Sequence, residues 1–223
     1  MKQSKLIVIE GLDGSGKATQ TKRLAETLSA RGFAVKQLTF PDYDSPGSAL
    51  VKMYLGGAFG SKPEDVNGYA ASAFYAVDRA ASFLKDWKTD WQNGKVLLCD
   101  RYCTSNIIYQ MAKVADSERD DFIRWQSDFE YDKLGLPRPD MVIYLDVEPE
   151  VSQRLMEKRY SGDNSKKDLH ESNLAFLLSC RRSALYAAER CGWTRINCCR
   201  NGEIKPIDEI AQEIERVIEP VLC

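Results

Sequence analysis

Apolar residues gather in five short runs along the chain: "KLIVIE" (5–10), "AVKQLTF" (34–40), "KVLLCD" (95–100), "DMVIYLD" (140–146) and "TRINC" (194–198). Several lack the period-two alternation of a strand with one wet face, which predicts strands buried on both faces, as in a parallel sheet. Longer helical patterns separate them, near 17–31, 46–57, 65–88, 104–134, 149–159, 169–190 and 206–219. This alternation predicts a three-layer α/β fold, a five-stranded parallel sheet flanked by helices, in one domain spanning 1–223. Ligands of such sheets sit outside the carboxyl ends of the strands, so functional residues should follow strands. A polar stretch of small residues, "YSGDNSKKD" (160–168), falls between two helices. It reads as a loop, and in a phosphoryl-transfer enzyme as a lid over about 159–168.

Charge and composition limit the partners. The 31 basic and 33 acidic side chains leave a formal charge of −2. No global field favours nucleic acid or an anionic membrane, and any anion site must be local. The first apolar run is too short for a signal segment or a membrane span, and no run of about 18 apolar residues follows. The seven cysteines include no C-x-x-C pair, and a single histidine, His170, cannot complete a usual zinc site. These features predict reduced thiols in a soluble, cytoplasmic protein.

The first run leads into "EGLDGSGKATQ" (10–20), with Gly11 and Gly16-Lys17 in the spacing of a phosphate-binding loop. Such a loop, here with Leu12, Asp13, Gly14 and Ser15 between its glycines, brings backbone N–H groups up to phosphate oxygens. The following helix adds its dipole and Lys17 a point charge. A Gly-rich turn capping a helix is the plainer alternative. Position 18, where a hydroxyl is expected to reach Mg²⁺, is Ala18. Thr19 is turned away by about 100° and does not replace it. Asp13, inside an anion loop, suits a metal, a water or a cationic partner, or else is a solvated turn residue.

The second run is followed by "FPDYDSPGS" and the third by "DRYCTSNIIYQ". Phe40, Pro41 and Tyr43 can wall a flat base, or form an ordinary aromatic strand end. Behind Arg101, a helix would align Ser105 and Asn106 with Tyr109. In "SAFYAVDRAASF", Tyr75 and Arg79 lie four apart, suited to a nucleobase and its phosphate or to a surface cation–π pair. Arg79 and Arg101 together would clamp a second phosphate bidentately.

The set "GLDGSGKAT", "FPDY", "YAVDRA", "DRYCTSN" with Tyr109, and "KKDLHE", ordered over nearly the whole chain, resembles the thymidylate kinase family of nucleoside-monophosphate kinases. The DRY and F-P pieces carry more of that resemblance than the phosphate loop, which many NTPases share. The resemblance implies ATP and dTMP as substrates, Mg²⁺ as cofactor, and a homodimer through the helices near 65–88 and 104–134. It implies thymine held by Phe40 and Tyr75, with Asn106 at the base edge and Ser105 beside base and sugar. The dTMP phosphate falls to Arg79 and Arg101, and the sugar 2′ side to Tyr109. His170 reads as a wall of this pocket or a plain surface histidine.

Toward ATP the resemblance implies the phosphate loop together with Arg154 and Arg159. Metal or metal-water contacts fall to Asp13, Glu171 and Asp100, the last of which is alternatively a partner for Arg101. Catalytic roles fall to Lys17, Arg101, Arg159 and Asp13. Some family members carry an arginine in the phosphate loop. This sequence has none there and offers Arg159, Lys166 and Lys167 around the lid instead. An acceptor that is already a phosphate anion needs positioning and charge neutralisation more than a general base. The competing readings are a kinase for another deoxynucleotide or a deoxynucleoside, and a non-catalytic nucleotide-binding regulator. No N-K-x-D guanine motif supports a GTPase.

Overall fold

Strands β1 (Lys5–Gly11), β2 (Val35–Thr39), β3 (Val96–Asp100), β4 (Met141–Asp146) and β5 (Thr194–Asn197) pair in parallel in the order β2-β3-β1-β4-β5. They occupy the five apolar runs. The computed structural model describes residues 4–159, 163, 168–171 and 173–222, with the side chains of 158 and 159 outside the description.

Alternate residues of each strand enter different cores. Leu6 and Val8 join Leu97, Cys99, Val142 and Tyr144 on one face, while Ile7 and Ile9 join Leu98, Ile143 and Leu145 on the other. Both faces of β1, β3 and β4 are dry, so these three carry no polar alternation, while the edge strands β2 and β5 keep exposed polar positions. The first face is covered by α5 (Thr104–Tyr109) through Ile107 and Ile108, and by α8 (Leu174–Cys191) through Leu177, Cys180 and Ala184. The second is covered by α1 (Lys17–Ala30) through Leu24 and Leu28, and by α9 (Ile207–Leu222) through Ile210, Ile214 and Ile218. Each such aliphatic side chain, fully buried, contributes about 1.5–3 kcal/mol. No helix among the described residues is long and apolar enough to cross a membrane, and the six described cysteines are free.

The remaining helices are α2 (Ala49–Leu55), α3 (Gly68–Ser82), α4 (Lys88–Gln92), α6 (Arg119–Ser127) and α7 (Pro149–Arg159). Three expected helices are corrected. The one near 65–88 passes through a π turn at Phe83–Trp87, which buries both of those aromatic rings. The one near 104–134 breaks after Tyr109 and restarts at Arg119, where Asp120 and Asp121 complement the positive helix start. It then widens into a π turn at Asp128–Lys133 that carries Glu130 into the interior. The helix near 169–190 begins only at Leu174, where Asn173 accepts from the Phe176 N–H at 3.0 Å.

A small hairpin, β6 (Cys199–Arg200) with β7 (Glu203–Ile204), was not expected. Asn201 and Gly202, at φ 53° and 75°, form its turn, and an Asn-Gly pair between short runs is the signal that announces it.

Candidate functional site

β1 delivers the chain to the phosphate loop, which turns at Gly14 (φ 78°) and Gly16 (φ 86°), in the left-handed region where a side chain is strained. A β-carbon at Gly14 would also lie 2.8 Å from the Ser152 carbonyl oxygen and 2.9 Å from Met156 Cγ. α7 therefore rests directly on the loop. Beyond Gly16, the first N–H groups of α1 have no intrahelical partner and face the cleft where a phosphate would sit. Lys17 is buried, and its Nζ donates to the Leu12 carbonyl at 2.9 Å. Burial, reinforced by Arg101 and opposed by Asp13 and Asp100, lowers its ammonium to about 8.

At the tip of β3, Arg101 adopts φ 68°, rare for a residue with a side chain, and its N–H donates to the Ile9 carbonyl at 3.1 Å. This bend carries the guanidinium back over the phosphate loop. Nη2 donates to Asp13 Oδ1 and, at 3.0 Å, to the Tyr109 hydroxyl, which itself donates to Asp13 Oδ2 at 2.9 Å. Burial opposes the Asp13 charge, but Arg101, Lys17 and Tyr109 together hold its carboxyl well below the usual range. Of the alternatives for Asp13, the structure selects the cationic partner.

Beneath this triad lies Glu10, fully buried, whose carboxylate accepts from Thr104 Oγ1 at 2.7 Å, Ser105 Oγ at 2.8 Å and the Tyr102 N–H at 3.2 Å. Burial raises its carboxyl, against the pull of Arg101 and these donors. Ser105 thus serves Glu10 and reaches Arg101 Nη1 only at 3.5 Å. Asp100, expected as a possible holder of Arg101, lines the cleft beside Lys17 instead.

The two arginines expected to share a phosphate both line the slot, and Arg79 already has a carboxylate partner. Arg79 is buried, and its Nε and Nη2 donate to Glu130 Oε2 and Oε1 at 2.7 and 2.6 Å. Asn106 and Gln126 donate to the same Oε1 at 2.8 and 2.9 Å. Arg79 Nε and Nη2 are thus committed to Glu130, while the residue lines the slot together with Asp13 and Arg101. Beside it Gln110 is buried, and its carbonyl oxygen has no protein partner.

These groups surround two connected spaces. A wide cleft of about 620 Å³ is lined by the phosphate loop, Ala18, Thr19, Asp100, Met156 and Glu171. A narrow slot of about 60 Å³ lies between Phe40, Pro41, Tyr43, Tyr75, Arg79, Asn106, Tyr109, Gln110 and His170. Asp13, Arg101 and Asp168 line both. His170 is a buried wall residue, stacked on Tyr109 with centroids 5.4 Å apart, and not a surface histidine. Phe40 is buried against Tyr102 and Trp87. Asp168 caps the turn after the lid region, accepting from the His170 and Glu171 N–H groups at 2.8 and 2.9 Å. Burial and the nearby Asp13 raise its carboxyl to about 7.

Asp13, Asp100 and Glu171, the residues expected near a metal or its waters, all line the cleft, with Asp13 paired to Arg101 and Tyr109. Among the described residues no three His, Cys, Asp or Glu side chains converge as a protein-only metal cage. Arg154 is half-exposed and donates to the Gly202 carbonyl at 2.6 Å, tying α7 to the hairpin rather than lining the cleft. The expected lid cations, the Arg159 side chain with Lys166 and Lys167, lie outside the described residues.

Sequence reading missed Glu10, Glu130, Gln110 and Asp168. Glu10 had a signal, a carboxylate inside a strand buried on both faces. Glu130 had none, because its inward aim depends on the π turn.

Comparison with known proteins agrees with this geometry. The thymidylate kinase family model matches residues 9–214. The thymidylate kinase of Mycobacterium tuberculosis is 31% identical over 184 residues, covering 82% of this chain and 84% of that protein. A probable thymidylate kinase of Archaeoglobus fulgidus is 30% identical over 217 residues, covering 97% and 96%. In fold, the thymidylate kinase structure from Candida albicans superposes with a TM-score of 0.70 at 22% identity, over 98% of this chain and 92% of the other. With a family model matching residues 9–214 and relatives at 30–31% identity covered over most of their length, the chain belongs to the thymidylate kinase family.

Proposed function

We propose that the chain transfers the γ-phosphoryl group of ATP to dTMP, giving dTDP and ADP. The observation that carries this reading is the pair of connected spaces meeting at Arg101 and Asp13, one built for phosphates and the other for a flat base. ATP phosphates lie on the loop N–H groups and Lys17. The dTMP phosphate lies at Arg101, and an oxygen of it attacks the γ-phosphorus in line as the bond to the bridging oxygen breaks. Thymine lies at the deep end, between Phe40 and Tyr75.

Mg²⁺, bound with the ATP phosphates, supplies charge neutralisation. Asp100 and Glu171, which line the cleft, would hold the waters of such an ion in place of a hydroxyl at position 18. We also infer a homodimer through the stripe carrying Val77 and Leu84, which are 50% and 68% exposed. A sedimentation mass of one chain would remove that inference.

The unpartnered Gln110 carbonyl gives the base its test. The N3 position of thymine carries a hydrogen that can donate to this oxygen, whereas N3 of cytosine is an acceptor and would face it unpaired. ADP release against dTMP, dUMP, dCMP and thymidine should favour dTMP over dCMP by at least about a hundredfold in kcat/KM. Gln110→Leu should lower kcat/KM for dTMP about tenfold, the worth of one hydrogen bond, and narrow the gap. Equal turnover of dCMP and dTMP would refute the base assignment. ATP binding with no transfer to any monophosphate would favour a regulator.

The depressed Lys17 adds a pH dependence. Its ammonium is present below about pH 8 and is lost as pH rises through that value. The profile of kcat/KM for ATP, which reports the free enzyme, should therefore fall toward tenfold per unit above about pH 8. A profile flat to pH 10 would show that the charge on Lys17 is not required.

A further inference from the structure

Lys113 has no place in the chemistry above. Its half-buried Nζ donates to the Tyr54 hydroxyl oxygen at 2.7 Å and the Val66 carbonyl at 3.1 Å, and lies 4.9 Å from the Tyr54 ring centre. An ammonium has donors only, so Tyr54 accepts from it and must place its own single proton elsewhere. His170 Nε2 is 2.9 Å from that oxygen, while the Pro63 carbonyl, at 3.4 Å, sits at the limit of a useful bond. The proton goes to Nε2, which is then an acceptor, and the imidazole carries its own hydrogen on Nδ1.

Neighbouring charge agrees with this arrangement. The cation on Lys113 polarises the phenol and makes it a better donor. Burial first, then Lys113, lower the His170 imidazolium to about 3, with Arg101 acting the same way and Asp13 opposing. A ring whose Nε2 accepts a hydrogen bond is neutral. Tyr54 meets the His170 ring edge-on, with centroids 5.4 Å apart, and the ring's face stacks on Tyr109. His170 lines the slot and Tyr54 does not, so the bond to Tyr54 leads away from the slot.

We propose that Lys113 and Tyr54 are positioning residues that fix His170 as the neutral, Nδ1-protonated ring, whose N–H donates to the 3′-hydroxyl oxygen of the acceptor nucleotide. The choice of the sugar rests on the proposed function. With the phosphate at Arg101 and the base at Arg79 and Gln110, the stretch of slot beside Tyr109 and His170 falls to the deoxyribose. Its 3′-hydroxyl is the one sugar group there that both donates and accepts, and its oxygen is a better acceptor than the ring ether.

The chain has a single histidine, so protein labelled with ¹⁵N at the histidine ring gives one unambiguous tautomer signature. At pH 7 the unmodified protein should show a protonated Nδ1 and a bare Nε2. Tyr54→Phe and Lys113→Met should move the proton toward Nε2. In kinetics, 3′-deoxy-dTMP should be used about tenfold less well than dTMP by the unmodified protein. That ratio should approach one in His170→Phe and shrink in Tyr54→Phe, while kcat/KM for ATP in Tyr54→Phe stays within about twofold.

An Nε2–H signature in the unmodified protein, with dTMP turnover intact, overturns this inference alone, and needs no variant to fold. An unchanged 3′-hydroxyl ratio in His170→Phe overturns the sugar contact. Absence of dTMP turnover with the Nδ1–H signature present overturns the proposed function and the sugar contact together, and leaves the tautomer standing.

Discussion

Arg101→Ala is expected to lower kcat/KM for dTMP by roughly 30- to 4,000-fold, the equivalent of the 2–5 kcal/mol lost when one partner of a desolvated charge pair is removed. Arg101 touches Asp13, Tyr109 and, at longer range, Ser105, and it stands where the two spaces meet. Its loss removes the cation for the acceptor phosphate and leaves the Asp13 carboxylate buried with only Lys17 and the Tyr109 hydroxyl to support it. Binding of ATP, which relies on the loop amides and Lys17, should change less than about threefold. Arg101→Lys should recover only part of the activity. A lysine is a point charge on a flexible stem and cannot repeat a planar head that bonds Asp13 and Tyr109 through Nη2 while its other N–H groups stay aimed elsewhere. Steady-state titrations in each substrate separate these outcomes. Turnover of dTMP within tenfold of the unmodified protein would move the acceptor phosphate away from Arg101.

The largest stability effect should come from Glu130→Ala. Glu130 is fully buried, receives two parallel bonds from Arg79 and one each from Asn106 and Gln126. Removing it strands a guanidinium in the interior, a change that typically costs about 3–5 kcal/mol. For a chain of this length each kcal/mol is worth about 2–4 °C, so the melting temperature should drop by roughly 6–20 °C. The double variant Glu130→Leu with Arg79→Met should regain most of that loss, since an apolar pair of similar volume leaves no charge unpaired. It should nonetheless bind dTMP poorly, because the Arg79 guanidinium is gone and Asn106 has lost the carboxylate that holds it at the base end. A melting temperature within 2 °C in Glu130→Ala would mean that water reaches Arg79 and the pair is not the keystone of this wall.

Much of this molecule was legible beforehand, for identifiable reasons. Strand positions followed from runs such as "KVLLCD", because a strand dry on both faces must be apolar throughout. The phosphate loop and the DRY tip were visible because glycine and arginine are needed there by chemistry rather than by packing. Partner choice was not visible. Nothing local in "DRA" says that Arg79 will meet Glu130, 51 residues on, rather than a phosphate. That meeting depends on a π turn, which adds a residue per turn and re-aims a side chain without changing composition. The division of Asp13 and Asp100 between Arg101 and the cleft likewise follows from the left-handed backbone at Arg101, a conformation that a non-glycine residue does not advertise.

The bare α-carbon of Gly14 against Ser152 and Met156 has a consequence for how this fold can be rebuilt. The loop contributes no side chain at that point and meets the Ser152 backbone directly, so little beyond the Met156 side chain can absorb a mismatch. The two segments act as a matched joint. A chimera that imported α7 from a relative without its phosphate loop, or the loop without the helix, would inherit a tolerance of a few tenths of an ångström at a backbone contact. Exchange of 149–159 together with 11–17 carries the joint intact, and those two stretches, 132 residues apart at their nearer ends, are one part in the sense that matters for recombination.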